Sequence, residues 1–318
     1  MIEFTGRPAE SFQFTEILYE KKDWVARITI NRPHVYNCLN GDAVAQLSDA
    51  LQDASWDDSV AVVVLTGAGD KAFCTGGDVK EYAETLLPRP RNYWKWFTYF
   101  GRALELLLNM GKPTIARLNG MAVGGGNEVH LACDLSIAAD DVRIRQVGPS
   151  VGSVPAAGGT QWLPLLVGER RARQILMLNE WIPAQKALEW GLVNEVVPRK
   201  NLDAAVDEMC QKLIQKFPEC MRYTREQLNF WKNLAWGMTA GHAREWLTLH
   251  YGALEPYEGM RSFVEKRPAD YLRLRRAAAE GLSSEFLWGP YRHTCQNCGS
   301  KGLPEVFTYC GVCGSKLE

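Results

Sequence analysis

The chain has 318 residues, above the roughly 250–300 at which a single core stops growing, so one large domain with an appendage suits the length as well as two equal ones. Hydrophobic residues at 46% and charged residues at 23% are ordinary for a globular protein. With 36 Lys and Arg against 37 Asp and Glu, no global field attracts nucleic acid or an anionic membrane, and any anionic ligand must be held by local cations.

The first residues, "MIEFTGRPAESFQF", lack the basic-then-apolar order of a signal peptide. No apolar run approaches the roughly 18 residues of a spanning helix. A cytoplasmic protein without membrane or nucleic-acid partners is expected. Along the chain, "WVARITINRP" (24–33) alternates and ends at proline, predicting a strand that leaves into a loop. "GDAVAQLSDALQDAS" (41–55) has helical spacing, with Asp42 near its start. "VAVVVLTG" (60–67) predicts a strand buried on both faces. An aromatic-rich helix follows from Asn92 to Met110, then strands at 113–120 and 134–140. Residues 145–161 are rich in glycine and proline, and beyond about 160 the pattern is mostly helical, with a short strand at 192–197. Strands alternating with helices predict an α/β fold. The division expected is a catalytic core at 1–200, a helical, oligomerising region at 201–290 and a cysteine-rich appendage at 291–318.

Two segments share one design. "AFCTGGDVKEYAE" (72–84) and "GMAVGGGNEVHLACD" (120–134) each follow a strand, pass through glycines and enter a helix. Glycine suits a positive φ or a close approach of ligand to backbone. A helix start leaves N–H groups unpaired, and two such groups from separate turns can hold one carbonyl oxygen. An acid, Glu128, stands two residues after the second glycine run.

Those two segments, with "ACDLSIAADD", "GSVPAAGGTQWLPLLVG", "ALEWGLVNEVVP" and "EGMRSFVEKRPADY", resemble in unbroken order the motifs of the crotonase (enoyl-CoA hydratase/isomerase) superfamily, over about residues 15 to 270. The resemblance implies a spiral of ββα repeats, assembly into homotrimers or homohexamers, and a CoA thioester whose carbonyl is gripped by the N–H groups of Gly77 and Gly125. It implies Glu128 as acid/base, Gly76 as a substrate or CoA contact, and Thr75 as a candidate near the nucleotide. It also places Phe263 and Lys266 against the adenine and phosphate of CoA; spaced by three, they would share a helical face. Arg32 is a further candidate near the nucleotide.

Hydratases of this family use two glutamates that share a water. The position of the second falls at Gly148, so one acid is kept and the other replaced by hydrogen. The missing side chain is expected to leave room for a bulkier acyl group, a water or a small anion. Glycine at this position resembles the branch acting on cyclic acyl groups, including ring-opening alicyclic acyl-CoA hydrolases. The implied chemistry is water addition to a conjugated ring enone and C–C cleavage beside the ring ketone, through a thioester enolate. The alternatives are an enoyl-CoA or dienoyl-CoA hydratase or isomerase, or a non-catalytic acyl-CoA-binding scaffold.

"RNYWKWFTYFGRALELLLNM" (91–110) offers Tyr93, Trp94, Trp96, Phe97, Tyr99 and Phe100, and with Tyr82 these are candidates for the wall of a pocket for a flat ring. His130 and His34 are read as packing residues, and Asp134 as structural. Finally, Cys295, Cys298, Cys310 and Cys313 form two C-x-x-C-G pairs with an 11-residue spacer, the pattern of a structural four-thiolate zinc ribbon. Lys301 and Lys316 balance Glu305 and Glu318 there, so no basic patch supports nucleic-acid binding.

Overall fold

The computed structural model describes residues 4–286 and 291–317. It opens with a hairpin, β1 (Ile17–Lys22) against β2 (Val25–Ile30). Asp23 and Trp24 turn it with φ of 50° and 69°, the paired left-handed turn that matches strand twist. α1 (Gly41–Trp56) follows, capped by the Asn40 side chain, which accepts the Ala43 N–H at 2.8 Å.

A repeated unit then begins. The β-branched run becomes β3 (Val62–Gly67), buried throughout, and the chain turns a corner into β4 (Ala72–Cys74). A short α2 (Val79–Glu81) runs into a π-helical turn, Tyr82–Leu86, and then α3 (Arg91–Asn109). The second unit is β5 (Thr114–Leu118), β6 (Met121–Val123) and α4 (Gly125–Ala132). The third is β7 (Leu135–Ala139) and β8 (Arg143–Arg145), then a 3-10 turn at Gly148–Val151, α5 (Gly159–Val167) and α6 (Glu169–Leu178). The strand expected at 113–120 is β5, and β6 follows it as a further strand after a corner at Asn119. The Asn119 side chain holds the corner: its Nδ2 donates to Gly69 O at 2.8 Å and its Oδ1 accepts from Gly67 N at 3.1 Å.

Each unit therefore feeds two sheets. The first runs β1-β2-β3-β5-β7-β10, with β10 at Glu195–Val197, parallel except for the opening hairpin. The second runs β4-β6-β8-β9, with β9 at Ile182–Pro183, and β4, β6 and β8 are parallel. α7 (Ala184–Glu189) connects β9 to β10. This is the spiral of ββα repeats.

α8 (Leu202–Ile214), α9 (Pro218–His250), α10 (Leu254–Val264) and α11 (Tyr271–Ala279) complete the helices. α9 lies across α3 and α5. Its Trp236 stacks on Phe97 at 6.3 Å and meets Trp162 at 5.6 Å. Buried Arg225, also on α9, pairs with Asp134 at 2.6 Å, and Asp134 in turn accepts the Thr114 N–H at 2.8 Å. Asp134 is structural, as expected. Buried residues of α8, α9 and α10 join the same core as the sheets, whereas Cys295, Cys310 and Leu317 form a second small core with β11 (His293–Thr294) and β12 (Lys301–Leu303) nearby.

Candidate active site

β4 and β6 are parallel neighbours, with Cys74 opposite Ala122. Both glycine turns therefore leave the same edge side by side. The Gly125 nitrogen lies 2.8 Å from where a Cβ on Gly76 would stand, and the Gly77 nitrogen 3.6 Å from where one on Gly125 would stand. Gly124 takes φ of +54°, a conformation that favours glycine. A Cβ on Gly126 would run into the Cys74 carbonyl, so α4 can approach β4 only with hydrogen there. Among the described residues, neither the Gly77 nor the Gly125 N–H meets an acceptor. Thr75 flanks this edge, its hydroxyl donating to Tyr36 O at 3.2 Å.

Glu128 is one turn into α4 and only 5% exposed. Its Oε1 accepts the N–H groups of Ala157 at 3.1 Å and Gly159 at 3.3 Å. Burial pushes its pKa up to about 7, against the two N–H bonds, which favour the charged form. Its second oxygen receives no hydrogen bond from the described residues. The carboxyl is thus fixed at one oxygen, open at the other, and able to change protonation near neutrality.

Gly148 closes the neighbouring position instead of opening it. A Cβ there would stand 2.7 Å from Pro155 Cδ and 2.9 Å from Pro155 N. The expected vacancy is filled by Pro155, because the loop at 153–157 packs directly on the 3-10 turn. Sequence reading also passed over Gln146, fully buried at the end of β8. Its Nε2 and Glu128 Oε1 lie 3.3 and 3.2 Å from the Cβ position of Gly159, and its own Oε1 has no partner among the described residues.

The aromatic stripe divides by face. Trp94 and Tyr99 are exposed, and the Trp94 indole donates to Glu245 at 2.7 Å; Phe97 packs on Trp236. Phe100 faces the glycine turns, and Tyr93 and Trp96 pack on Tyr82. Phe100 Cζ is 3.4 Å from the Cβ position of Gly125, and the Tyr82 ring abuts the α-carbon of Gly77. Tyr82 meets Trp96 edge-on at 4.9 Å, and Trp96 lies 5.2 Å from Phe100. Tyr251, which the sequence reading missed, completes the wall: it is 2% exposed and stacks on Tyr93 at 4.0 Å. Burial raises the Tyr82, Tyr93 and Tyr251 hydroxyls above their ordinary pKa, keeping them neutral donors. Tyr251 follows a long helix that looked remote from the turns, and no local signal marks it.

Phe263 and Lys266 do not share a helical face. Phe263 is 60% exposed in the last turn of α10, whereas Lys266 lies beyond its end with φ of +55°. The Lys266 N–H donates to Phe263 O at 3.2 Å, so a turn joins the pair. Arg32 is buried, 2.7 Å from Glu16 and 3.3 Å from Asp78, and its Nη1 donates to Cys38 O at 2.6 Å; it ties the glycine loop down from below. His130 is buried between Asn127 and Ser136, each at 3.1 Å, and burial lowers its pKa to about 4. It packs, as expected; His34 does not, because it sits exposed in a 3-10 turn.

In the tail, the sulfurs of Cys295, Cys298, Cys310 and Cys313 all lie within 4.8 Å of one another. Two of the separations are 3.6 Å (Cys295 to Cys313) and 3.7 Å (Cys298 to Cys310). A tetrahedron with metal–sulfur bonds of about 2.3 Å has edges of about 3.8 Å, so the donor set fits a metal. Its halves match: Cys295 N donates to Ser300 O at 2.8 Å and Cys310 N to Ser315 O at 2.7 Å.

Paired glycine turns beside one buried acid, carried on ββα repeats, define a crotonase-fold enzyme of acyl-CoA chemistry. The sequence pattern described as enoyl-CoA hydratase/isomerase matches residues 20–273, and the chain belongs to that family. It is 33% identical, over 88% of its length and 87% of the relative's, to 6-oxocyclohex-1-ene-1-carbonyl-CoA hydrolase of Geobacter metallireducens. Among solved structures it resembles Pseudomonas aeruginosa DspI (33% identity, TM-score 0.67, covering 83% of this chain and 99% of that one). It also resembles an enoyl-CoA hydratase from Bacillus anthracis (32% identity, TM-score 0.65, 81% and 99%). Among the described residues no helix is long and apolar enough to cross a membrane.

Proposed function

We propose that this enzyme opens an alicyclic oxo-enoyl-CoA by water addition and C–C cleavage. Gly77 and Gly125 donate to the thioester oxygen as enolate charge develops; each such donor contributes roughly 3–4 kcal/mol. Glu128 takes the proton from water and returns it to carbon, a transfer its near-neutral pKa suits. Tyr82 and Trp96 wall the ring, Gly76 contacts the substrate, Thr75 lies toward the nucleotide, and Gly148 bounds the acyl site. The observation that carries the reading is a buried Glu128 whose charge acts on Tyr82 and Tyr93 of the aromatic wall, with the place of a second acid at Gly148 shut by Pro155. The similarity to a ring-opening hydrolase supports it.

Phe263 and Lys266, exposed at the end of α10, suit contact with the nucleotide of CoA. Leu228, Trp231, Met238 and Leu249 are exposed on α9, with Phe217 exposed at its N-cap, and support assembly into a homotrimer or homohexamer. The four tail cysteines would hold one structural zinc. With four thiolates there is no open coordination position, so the metal would supply folding energy and no catalysis.

Incubation with cyclic and linear enoyl-CoA esters, read by product mass, tests the reaction. The full reaction adds two waters, one across the ring C=C and one across the C–C bond beside the ring ketone, which becomes a carboxylate; hydration alone adds one. Linear crotonyl-CoA as the best substrate would overturn the reading in favour of a hydratase, and ester binding without any turnover would make the chain a scaffold.

A further inference from the structure

Three of the indoles in the helical layer satisfy their N–H groups inside the protein. Trp94 donates to Glu245 at 2.7 Å, Trp162 to Lys232 O at 3.2 Å and Trp236 to Glu105 at 2.8 Å. Trp96 does not: its Nε1 is shut away from solvent and has no partner among the described residues. A buried donor left unpaired loses its hydration without return, which is why buried indole N–H groups nearly always find an acceptor. Trp96 could have been turned to solvent, since it is only partly buried.

Its position explains the missing partner. The indole rests edge-on to Tyr82 at 4.9 Å and against Phe100 at 5.2 Å. Tyr82 abuts Gly77, and Phe100 abuts Gly125. Trp96 therefore touches both of the rings that abut the two glycine turns. Neither the Tyr82 nor the Tyr93 hydroxyl accepts from the indole N–H.

We propose that the Trp96 indole N–H recognises an oxygen on the far side of the acyl ring, so that the site selects oxygen-bearing cyclic acyl groups over plain ones. This rests on the alicyclic acyl-CoA reading above and adds the group that reads the substituent. The glycine turns hold the thioester oxygen, the aromatic rings hold the ring faces, and Trp96 supplies the donor for the second oxygen. A site built to hydrogen-bond a substituent rejects the analogue that lacks it, because its own polar group is then left unpaired.

The test compares cyclohex-1-ene-1-carbonyl-CoA with and without a ring oxo group, binding to a Glu128→Gln background that does not turn over. The oxo ester is expected to bind about tenfold tighter. Adding Trp96→Phe should abolish that preference: both esters lose the shared ring contact, and the oxo ester loses about tenfold more. With ¹⁵N-labelled tryptophan, the Trp96 Nε1–H proton resonance should move downfield with the oxo ester only; this reads the contact even if Trp96→Phe folds poorly. Equal affinities in the Trp96-bearing protein, a preference that survives Trp96→Phe, or an unmoved resonance each overturn the proposal. If neither cyclic ester binds, the alicyclic reading itself has failed, and the assignment of Trp96 with it.

Discussion

Glu128 Oε1 accepts the backbone N–H of Gly159 at 3.3 Å, tying an acid on the helix after β6 to the first residue of the helix that follows the third ββ unit. The bond holds one oxygen still in a buried pocket. Burial wins over this bond and its companion from Ala157, and the pKa rises to about 7. Below that pH the acid is neutral and above it charged.

Activity should follow that titration. With Glu128 as base, kcat/KM is expected to rise with pH through about 7 and then level off. Glu128→Gln should lower kcat by at least about a thousandfold while leaving CoA-ester affinity nearly unchanged. A Glu128→Gln enzyme with substantial turnover would remove Glu128 from the mechanism.

The same group makes a stability prediction of defined sign. Its folded pKa of about 7 lies above the ordinary 4.5, so the folded state holds the proton more tightly. That contribution is complete below about pH 4.5 and is lost as pH rises through 7, on the order of 3 kcal/mol. Glu128→Gln keeps the acceptor for Ala157 and Gly159 but carries no charge. It should melt at a higher temperature than the parent at pH 8 and near the same temperature at pH 4.5, by calorimetry at both values.

Restoring the second acid should not make a hydratase. Gly148→Glu sets a Cβ against Pro155 Cδ at 2.7 Å, and forcing such a contact costs about 1–3 kcal/mol. The expected variant is destabilised by that amount in urea unfolding and gains no crotonyl-CoA hydration. Robust hydration with unchanged stability would show that the loop yields more readily than its packing implies.

Two adjacent glycines should respond differently to alanine. Gly126→Ala drives a methyl into the Cys74 carbonyl, with an expected loss of about 2–4 kcal/mol. Gly125→Ala meets nothing closer than Gly76 Cα and Phe100 Cζ at 3.4 Å, with Gly77 N at 3.6 Å, and should lose under about 1 kcal/mol while keeping its N–H. Denaturant midpoints for the two variants decide the point.

The tail should behave as a separate unit. Purified protein is expected to carry one zinc per chain. A strong chelator should remove it and unfold residues 291–317, because their small core holds only Cys295, Cys310 and Leu317, with Leu303 and Phe307 packed against it. The main thermal transition should stay within a few degrees. A metal-free preparation with an unchanged ribbon would refute the zinc site.

Much of the catalytic layout was legible in local sequence. A β-branched run stopped by glycine reads as β3, and "GGGNE" announces a backbone turn followed by an acid. The hairpin strand β1 was not legible, because its turn, Asp23-Trp24, lacks the usual glycine or asparagine. The helical face expected for Phe263 and Lys266 failed because the helix stops between them, at Glu265. Tyr251 was invisible because its meaning depends on α9 returning along α3.

The amino-acid order by itself determined the residue types of the chemistry: glycines able to bare an N–H, one acid after them, a stripe of rings, and four cysteines at metal spacing. These are properties of short stretches, fixed by backbone freedom and side-chain chemistry. Only the tertiary structure decided that they meet. Parallel pairing of β4, β6 and β8 carries the turns at Gly77, Gly125 and Gly148 to one edge, because parallel strands deliver their C-terminal ends to the same side. Packing also decided what lies at Gly148. The missing side chain leaves no room there, since a close-packed interior let Pro155 move in.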